Sequence, residues 1–284
     1  YTLHEYFLAC PNGGFYDYNA GRICTRRALG VGCLTTQCDA RNGWHKAWRV
    51  ARQATLWSRG RMPRDLREVI YLTSAQLGIL GSYLPTHARW HHLPNPVPKF
   101  CEERIKAEDN REFLFVGRLS PEKGAEVAAE AARLAGVPIA FAGEGERADA
   151  VQQANPDAAM LGWLSPGELQ ERMKMARCVV FPSLWYETFG LVVGEALRFG
   201  LPVLVGDSTV AADMVRDGID GYHVTSQDAG TWAARMQKLQ SDDLVRCLSK
   251  NAFERGTTLM DQEEYTEKLI SIYDKVLQRK RTPL

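Results

Sequence analysis

Two carboxylates, Glu187 and Glu195, stand eight residues apart in the sequence. The apolar run 177–181 before them predicts a buried strand, and residues 190–199 predict a helix that ends at Gly200. The first glutamate therefore lies in a strand-to-helix loop and the second lies on the helix. Carboxylates in these two places could accept hydrogen bonds from the hydroxyl groups of one ligand.

The start of that helix lies between the two carboxylates. The N–H groups of Phe189, Gly190 and Leu191 open the helix, and such groups have no acceptor within it. Together with the positive end of the helix dipole they form a site for an anion. An anion site between Glu187 and Glu195 suits a phosphate ligand with hydroxyl groups at both ends, such as a nucleotide sugar. For an isolated pair of glutamates, a helix cap and a solvated helix face would be the simpler interpretation.

Two cations follow an earlier predicted strand, residues 112–116. Arg118 and Lys123 lie in the turn after it. Ser120 is a suitable N-cap and Pro121 a suitable first helical residue, so we expect a helix to begin there. Two cations held beside a helix start could bind a diphosphate and stabilise a negative leaving group.

These two segments, taken together, resemble the donor-site motifs of the retaining GT-B glycosyltransferases of family four, the glycogen-synthase-like enzymes. The resemblance extends over nearly the whole chain and is strongest over residues 113–225. It implies an α/β fold of GT-B type, in which two Rossmann-like domains face a cleft. It also implies metal-independent, retaining transfer of a hexose from a nucleotide sugar to a glycan or lipid-linked acceptor, in bacterial polysaccharide or glycolipid synthesis.

The resemblance assigns roles to individual residues. The implied donor-binding residues are Arg118, Lys123, Gly143, Glu187, Phe189, Gly190, Leu191 and Glu195, and the implied catalytic residues are His4, Glu187, Arg118 and Lys123. Glu195 would bind the ribose hydroxyls, and Glu187 and His4 would contact the transferred sugar. His4 follows a short predicted strand, and Glu5 stands where the family commonly has Asp. No cofactor and no metal ion are expected.

Further strands are predicted at 137–143, 158–163, 201–206 and 221–224, with helices between them. This alternation indicates βαβ units and places a ligand at the carboxyl ends of parallel strands. Trp163 is the last residue of one of these predicted strands. It could flank a nucleobase, but the residue type favours a buried core position.

The pattern predicts three regions: a partial acceptor-side Rossmann-like domain at 1–100, a nucleotide-sugar donor-binding domain at 101–260, and a C-terminal helix at 261–284 that crosses back to the first domain. The chain begins without Met inside a predicted strand, so we expect the N-terminal domain to lack its first part. Two other functions therefore stay open. One is a GT-B nucleotide-sugar epimerase, and the other is a truncated nucleotide-sugar-binding domain without catalysis.

The C-terminal region has an amphipathic helical pattern from Asp261 to Arg279. The apolar side is formed by Tyr265, Leu269, Ile270, Ile272, Tyr273 and Leu277.

Positive charge is concentrated in the first third of the chain. Residues 1–100 hold thirteen Lys or Arg against five Asp or Glu, a balance of +8, so the remainder carries −7 within the total of +1. The densest part, Arg41 to Arg67, is called the basic segment below. Its cations are Arg41, Lys46, Arg49, Arg52, Arg59, Arg61, Arg64 and Arg67, and its only anion is Asp65. The segment also contains three Trp residues with loosely helical spacing.

Two interpretations of the basic segment stay open. A basic helix that carries Trp could lie on an anionic membrane surface, which would make the protein peripheral on the inner face of the membrane. Alternatively, the cations form a solvated face and the Trp residues a core face. No segment resembles a nucleic-acid-binding module, so nucleic acid is not expected as a partner.

Cysteine usage predicts a cytoplasmic protein, because an odd count of seven without a visible secretion signal favours reduced thiols. Four of the cysteines, Cys10, Cys24, Cys33 and Cys38, lie within the first forty residues. Whether they bind zinc stays open, since no Cys-x-x-Cys pair is present. No apolar run approaches the roughly eighteen residues needed to span a bilayer.

Overall fold

The computed structural model describes residues 1–281 of the 284-residue chain. The chain divides into two compact units. Unit 1 comprises Tyr1–Pro96, Trp185–Phe189 and the segment from Met260 onward, and unit 2 comprises Val97–Leu184 and Gly190–Leu259. The loop that carries Glu187 therefore groups with unit 1, although the residues on both sides of it along the chain belong to unit 2. The expected acceptor and donor roles of the two regions stay predictions.

Unit 1 combines two short strand pairs with helices. Its elements before the linker are β1 (Tyr16–Asp17), β2 (Arg22–Ile23), α1 (Val31–Thr35), α2 (Gly43–Ser58), β3 (Glu68–Tyr71), α3 (Ser74–Leu80) and β4 (Arg89–His92). β1 and β2 are antiparallel, whereas β3 and β4 are parallel and joined through α3. The Thr73 side chain caps α3 by accepting a hydrogen bond from the Gln76 N–H. The strand expected before His4 is reduced to one bridge between Thr2 and Ile70.

Unit 2 is an α/β domain built on a six-stranded parallel sheet. Its strands are β5 (Glu112–Val116), β6 (Ile139–Ala142), β7 (Ala159–Gly162), β8 (Ala176–Phe181), β9 (Val203–Gly206) and β10 (Gly221–Val224), in the spatial order β10-β9-β8-β5-β6-β7. Its helices are α4 (Ala125–Ala135), α5 (Ala148–Ala154), α6 (Pro166–Lys174), α7 (Leu191–Phe199), α8 (Ala229–Lys238) and α9 (Asp242–Thr257). The predicted parallel α/β architecture is confirmed for this unit.

Local sequence explains where several of these helices begin and end. Ser165 and Glu168 form a capping box at the start of α6, with Pro166 in the first turn. Gly136 and Gly200 end α4 and α7 in the left-handed conformation that glycine adopts without strain. Six buried alanines along α4 allow it to pack closely against α5 and α8.

The helix predicted to begin at Ser120 is interrupted. Residues Pro121–Lys123 form a single 3-10 turn, and α4 begins only at Ala125. Gly124, between them, has a φ of +68°. A side chain at this position would also collide with the carbonyl oxygen of Pro182. Lys123 therefore lies on a tight turn in front of a helix and not in its first turn.

The middle of the basic segment folds as helix α2, but its side chains are not divided into a solvated basic face and a core face of Trp, as the second interpretation expected. The membrane interpretation stays a prediction. Lys46 is buried, Arg49 pairs with Asp39 at 2.9 Å, and Arg52 donates to the Pro11 carbonyl at 3.0 Å. Trp44 and Trp48, in contrast, are 85% and 63% exposed. These cations face the unit because carbonyl, carboxylate and sulfur acceptors satisfy them there, which leaves the two Trp side chains on the solvent side.

The C-terminal helix α10 (Gln262–Arg281) packs within unit 1. Tyr265, Leu269 and Ile272, spaced as on one helix face, contact Ile70 and Leu93. The other three predicted apolar residues, Ile270, Tyr273 and Leu277, are exposed instead. The predicted apolar side of this helix therefore included three residues that do not face the unit. No helix within residues 1–281 is both long and apolar enough to cross a membrane.

Candidate functional site

The candidate site of unit 2 lies at the carboxyl edge of its parallel sheet. β5 pairs with β6 on one side and with β8 on the other, so the direction of winding reverses between β5 and β8. In open α/β sheets this reversal leaves a crevice outside the carboxyl ends of the strands. The turns after β5, β6 and β8 all emerge at this edge. They carry Arg118, Gly143 and the start of α7, respectively.

The turns after β5 and β6 are locked together. The Gly117 N–H donates to the Ala142 carbonyl at 3.0 Å, and the Leu119 N–H donates to the Glu144 carbonyl at 2.9 Å. Gly143 has a φ of +148°, and a side chain there would collide with the Gly117 carbonyl. Glycine at 143 is therefore required by the close approach of two backbone turns, and its role toward a donor stays a prediction.

Arg118 and Trp163 line the same cavity, which has a volume of about 380 Å³. Gly117, Gly143 and Glu144 also line it. The Arg118 side chain is exposed and forms no hydrogen bond or ion pair within residues 1–281. Trp163 is 70% exposed, so the buried core position predicted for it is wrong. It is exposed because β7 is the edge strand of the sheet and Trp163 follows its last residue.

The turn that carries Lys123 packs against the loop after β8. The Glu122 carbonyl accepts hydrogen bonds from the Leu184 N–H at 2.8 Å and from the Ser183 hydroxyl at 3.4 Å. The Ser120 hydroxyl in turn donates to the buried Glu122 carboxylate at 2.8 Å. Glu122 thus positions the backbone on which Lys123 stands, a role that the sequence pattern did not reveal.

Helix α7 begins immediately after Gly190, which has a φ of +89°. A Cβ at Gly190 would lie 2.5 Å from the Ala211 Cβ, so both the backbone conformation and the lack of space require glycine. The Val193 N–H donates to the Gly190 carbonyl at 2.9 Å and begins the helical ladder. The N–H groups of Gly190 and Leu191 precede this first bond, which is where a helix start can bind an anion.

Glu195 lies one turn further along α7 and is partly buried. Burial raises the pKa of its carboxyl above the usual range. Within the described part of the chain its carboxylate has no hydrogen-bond or ion-pair partner. A carboxylate that is partly desolvated and unpaired can gain from hydrogen bonds that a ligand donates.

The remaining predicted site residues belong to unit 1. His4 is exposed, whereas Glu187 and Phe189 are buried. Glu187 has a φ of +57°, an uncommon conformation for a residue with a side chain. Such strain persists only where surrounding contacts hold it.

Aromatic contacts hold the Glu187 loop in unit 1. The Tyr6 hydroxyl, two residues beyond His4, donates to the Glu187 carbonyl at 2.6 Å. Burial, followed by the charge of Glu187, raises the pKa of Tyr6 beyond its ordinary range. Tyr186 contacts Phe15, with ring centroids 6.5 Å apart. The chain segment of His4 and the loop of Glu187 are therefore neighbours within unit 1. Tyr6 was missed by sequence reasoning, although two aromatic residues directly before Glu187 were a signal that this loop is packed.

Metal-ligating groups do not gather in the described part of the chain. No cluster of three or more His, Cys, Asp or Glu residues has a geometry suited to a metal ion within residues 1–281. His91 instead approaches Glu68 at 2.8 Å, and His92 stacks on Tyr71 with centroids 5.0 Å apart.

Comparison with known proteins identifies a family, whose match falls mainly on unit 2, and several relatives. The sequence pattern of the family described as glycosyl transferases group 1 matches residues 98–255, which is more than half of the chain. The lipopolysaccharide 1,2-N-acetylglucosaminetransferase of Salmonella typhimurium is 30% identical over 149 residues, covering 46% of this chain and 39% of the relative. The D-inositol 3-phosphate glycosyltransferase of Mycobacterium tuberculosis is 32% identical over 190 residues, covering 60% of this chain and 38% of the relative. The matched part of this chain thus spans well under half the length of either relative.

The solved structure of sucrose-phosphate synthase from Thermosynechococcus elongatus shares the fold, with a TM-score of 0.70 at 20% sequence identity. It covers 89% of this chain and 67% of that one. The chain belongs to the glycosyl transferases group 1 family, and its fold is of the GT-B type.

Proposed function

We propose that this chain acts as a metal-independent, retaining glycosyltransferase that moves a hexose from a nucleotide sugar to a glycan or lipid-linked acceptor. The observation that carries the proposal is Arg118. It is a cation without a partner among the described residues, and it lines a cavity at the carboxyl edge of the sheet together with Gly143 and Trp163. An unpaired guanidinium beside a backbone turn is suited to a diphosphate.

The reaction needs a positive environment for its leaving group. As the bond between the sugar and the diphosphate breaks, negative charge accumulates on the phosphate oxygens. Arg118, Lys123 and the N–H groups of Gly190 and Leu191 stabilise this charge more strongly in the transition state than in the ground state, which accelerates the reaction. These groups take the part that a metal ion plays in other enzymes.

The two ends of the donor are held by different residues. Glu195 accepts hydrogen bonds from the ribose hydroxyls, for which its unpaired and partly buried carboxylate is suited. The exposed ring of Trp163 offers an apolar face to the nucleobase. Glu187 and His4 contact the transferred sugar, and the acceptor attacks from the face that the diphosphate leaves.

Relatives support an acceptor in bacterial polysaccharide or glycolipid synthesis. One is named as a transferase of N-acetylglucosamine to lipopolysaccharide and another as a glycosyltransferase of an inositol phosphate. These names belong to proteins of which the matched part of this chain spans under 40%. The donor base, the donor sugar and the acceptor of this chain therefore have to be identified by experiment.

For a lipid-linked acceptor, the proposed partner is the anionic inner face of the membrane. The contact surface is the solvent side of α2, where Trp44 and Trp48 are exposed. Arg41 and Arg59 lie just beyond the two ends of this helix, and both are exposed without an ion-pair partner within residues 1–281. Amphipathic Trp rings and flanking cations are the combination that binds an anionic lipid interface.

A binding and turnover screen tests the proposed function. The chain is titrated with UDP-, GDP-, ADP- and TDP-sugars by thermal shift, and each donor that binds is then incubated with glycan and lipid acceptors in the presence of EDTA. Glycosyl transfer with retained anomeric configuration is the expected result. Conversion of the donor to an epimer without transfer would instead identify an epimerase. Binding without hydrolysis or transfer would identify a nucleotide-sugar-binding domain.

A further inference from the structure

Two cysteines of unit 1 lie around one buried lysine. Lys46, on α2, is only 6% exposed. Its Nζ lies 3.0 Å from the Cys38 Sγ and 3.6 Å from the Cys33 Sγ, so the two sulfurs are at most the sum of these distances, 6.6 Å, apart. No carboxylate within residues 1–281 pairs with this ammonium. The nearest acidic residue along the chain, Asp39, pairs with Arg49 at 2.9 Å.

A buried ammonium group requires a negative partner, because burial of an isolated charge is costly. Here the available partners are sulfur atoms. Burial alone would lower the pKa of Lys46, but the hydrogen bond to Cys38 and the charges of nearby cysteine sulfurs outweigh it and raise this pKa. The Asn12 amide also donates to the Cys38 Sγ at 3.2 Å. The Cys38 sulfur thus receives two N–H donors, one of them a cation, and such donors stabilise negative charge that develops on the atom that accepts them.

We propose that Cys38 is a reactive cysteine that hydrogen peroxide oxidises, and that Cys33 then resolves the product as a disulfide. This site is independent of the glycosyl transfer proposed above. It needs only the geometry of Lys46, Asn12 and the two sulfurs.

The chemistry balances with peroxide as the oxidant. The Cys38 thiolate attacks one peroxide oxygen, the O–O bond breaks, and the departing hydroxide takes a proton and leaves as water. The product is a sulfenic acid on Cys38. The Cys33 sulfur then attacks the Cys38 sulfur, the S–O bond breaks, and the hydroxide leaves as water with the proton of the Cys33 thiol. In total, two thiols and one peroxide give one disulfide and two waters.

A groove lies beside this site, whose two cysteines are buried. It has a volume of about 450 Å³ and is lined by Lys46 and by the chain neighbours of the two cysteines, Leu34 and Gln37. Peroxide and small alkylating reagents can enter a groove of this size. Once the disulfide forms, the Lys46 ammonium loses its sulfur partner, and we expect the first half of α2 to become less stable.

The first test measures the pH dependence of alkylation in the unmodified protein. The rate of iodoacetamide modification is followed at each cysteine by peptide mass spectrometry. An ordinary thiol slows by roughly a hundredfold from pH 8 to pH 6. We expect Cys38 to slow by less than about fivefold, since the Lys46 ammonium and the Asn12 amide both donate to its sulfur and stabilise negative charge there. Cys247, the exposed cysteine of α9, is the reference thiol. Because each rate is compared with itself at another pH, restricted access to a buried sulfur does not affect the result.

The second test uses peroxide and three variants. In the unmodified protein we expect one disulfide, mapped between Cys33 and Cys38. Cys33→Ser should accumulate a sulfenic acid on Cys38 that dimedone captures, and Cys38→Ser should form no such disulfide. Lys46→Met should slow the oxidation of Cys38 by at least about tenfold, because the adjacent opposite charge is lost.

The proposal is overturned if Cys38 slows with falling pH as steeply as Cys247, or if peroxide leaves Cys33 and Cys38 unlinked while it oxidises Cys247. Both the alkylation rates and the disulfide are measured in the unmodified protein, so the outcome does not depend on whether Lys46→Met folds. Circular dichroism verifies the folding of each variant.

Discussion

The most basic stretch of the chain and its candidate phosphate-binding turn use their cations in opposite ways. In α2, Lys46 is buried against sulfur, Arg49 pairs with Asp39, and the Arg52 guanidinium lies 4.5 Å from the centre of the Phe7 ring. After β5, Arg118 is exposed and has no partner within residues 1–281.

This difference shows that a local excess of positive charge is a poor guide to ligand binding. What decides is whether the fold has already satisfied each charge. Of the eight cations in the basic segment, Lys46, Arg49 and Arg52 hold α2 in place, whereas Arg41 and Arg59 beyond its ends are exposed. A single arginine in the less basic unit is the better candidate for an anionic ligand, because a charge without an internal partner retains its full capacity to bind one. Four predictions test this contrast, in order of decreasing effect.

Reversal of the charge at Arg49 should have the largest effect, a loss of protein stability. Asp39 is almost completely buried, so Arg49→Glu removes its partner and places a like charge beside it. We expect a loss of about 3–5 kcal/mol in the free energy of unfolding, measured by urea denaturation. Arg59→Glu is the matched control, because Arg59 is exposed at the end of α2. It should change this free energy by less than about 0.5 kcal/mol. Equal effects of the two variants would show that Arg49 is solvated after all.

Removal of Arg118 should act on turnover and not on folding. Arg118→Ala should lower kcat/KM for the nucleotide sugar by about a hundredfold or more, close to 2.7 kcal/mol, because one charge partner of the transition state is lost. Lys123→Ala should act in the same direction. Arg133→Ala is the control, since this exposed cation of α4 pairs loosely with Glu130 at 4.0 Å. EDTA should leave the activity unchanged. Activity that disappears with EDTA and returns with manganese would overturn the metal-independent proposal.

Glu195→Gln should weaken binding and strengthen the fold. We expect about tenfold lower affinity for the free nucleoside diphosphate, because the acceptor of the ribose hydroxyls loses its charge. Burial raises the pKa of Glu195 in the folded state, so the folded protein binds this proton more tightly than the unfolded chain. Stability contributed by the neutral form is therefore lost as pH rises through the raised pKa. At neutral pH the glutamine, which is always neutral, should raise the Tm.

The matched variant for Glu195 is Glu187→Gln. It should leave the affinity for the nucleoside diphosphate nearly intact and lower sugar transfer, because Glu187 is proposed to contact the sugar. Identical titration curves for the two variants would show that this division of roles is wrong.

The smallest expected effect concerns the membrane. The chain should co-sediment with anionic vesicles, and replacement of Trp44 and Trp48 by Ala should reduce binding several-fold. Higher salt should also weaken vesicle binding, because it screens the exposed charges of Arg41 and Arg59. Such charges are screened over about 8 Å at physiological ionic strength. Negligible binding to both neutral and anionic vesicles would remove the membrane as a partner and favour an acceptor without a lipid.

Local sequence was sufficient to predict the architecture of unit 2. Short apolar runs that end at Gly or Pro indicated the strands, and Gly200 marked the end of α7 by its left-handed backbone conformation. These signals are local, because capping and turn formation involve neighbours in the chain. The positions of Arg118, Glu187 and Glu195 relative to strands and helices followed from the same patterns.

Only the tertiary structure decided which side of an element faces inward and which groups are already paired. Trp44 and Trp48 of α2 are exposed because Lys46, Arg49 and Arg52 find acceptors on segments outside the helix, and the pattern of the helix itself does not report such acceptors. The early start predicted for α4 failed because Pro182, nearly sixty residues away, approaches Gly124 too closely for a side chain. The local sequence thus determined where the elements lie along the chain. Their burial and charge pairing depend on contacts between residues far apart in it, and were settled only when the chain was packed.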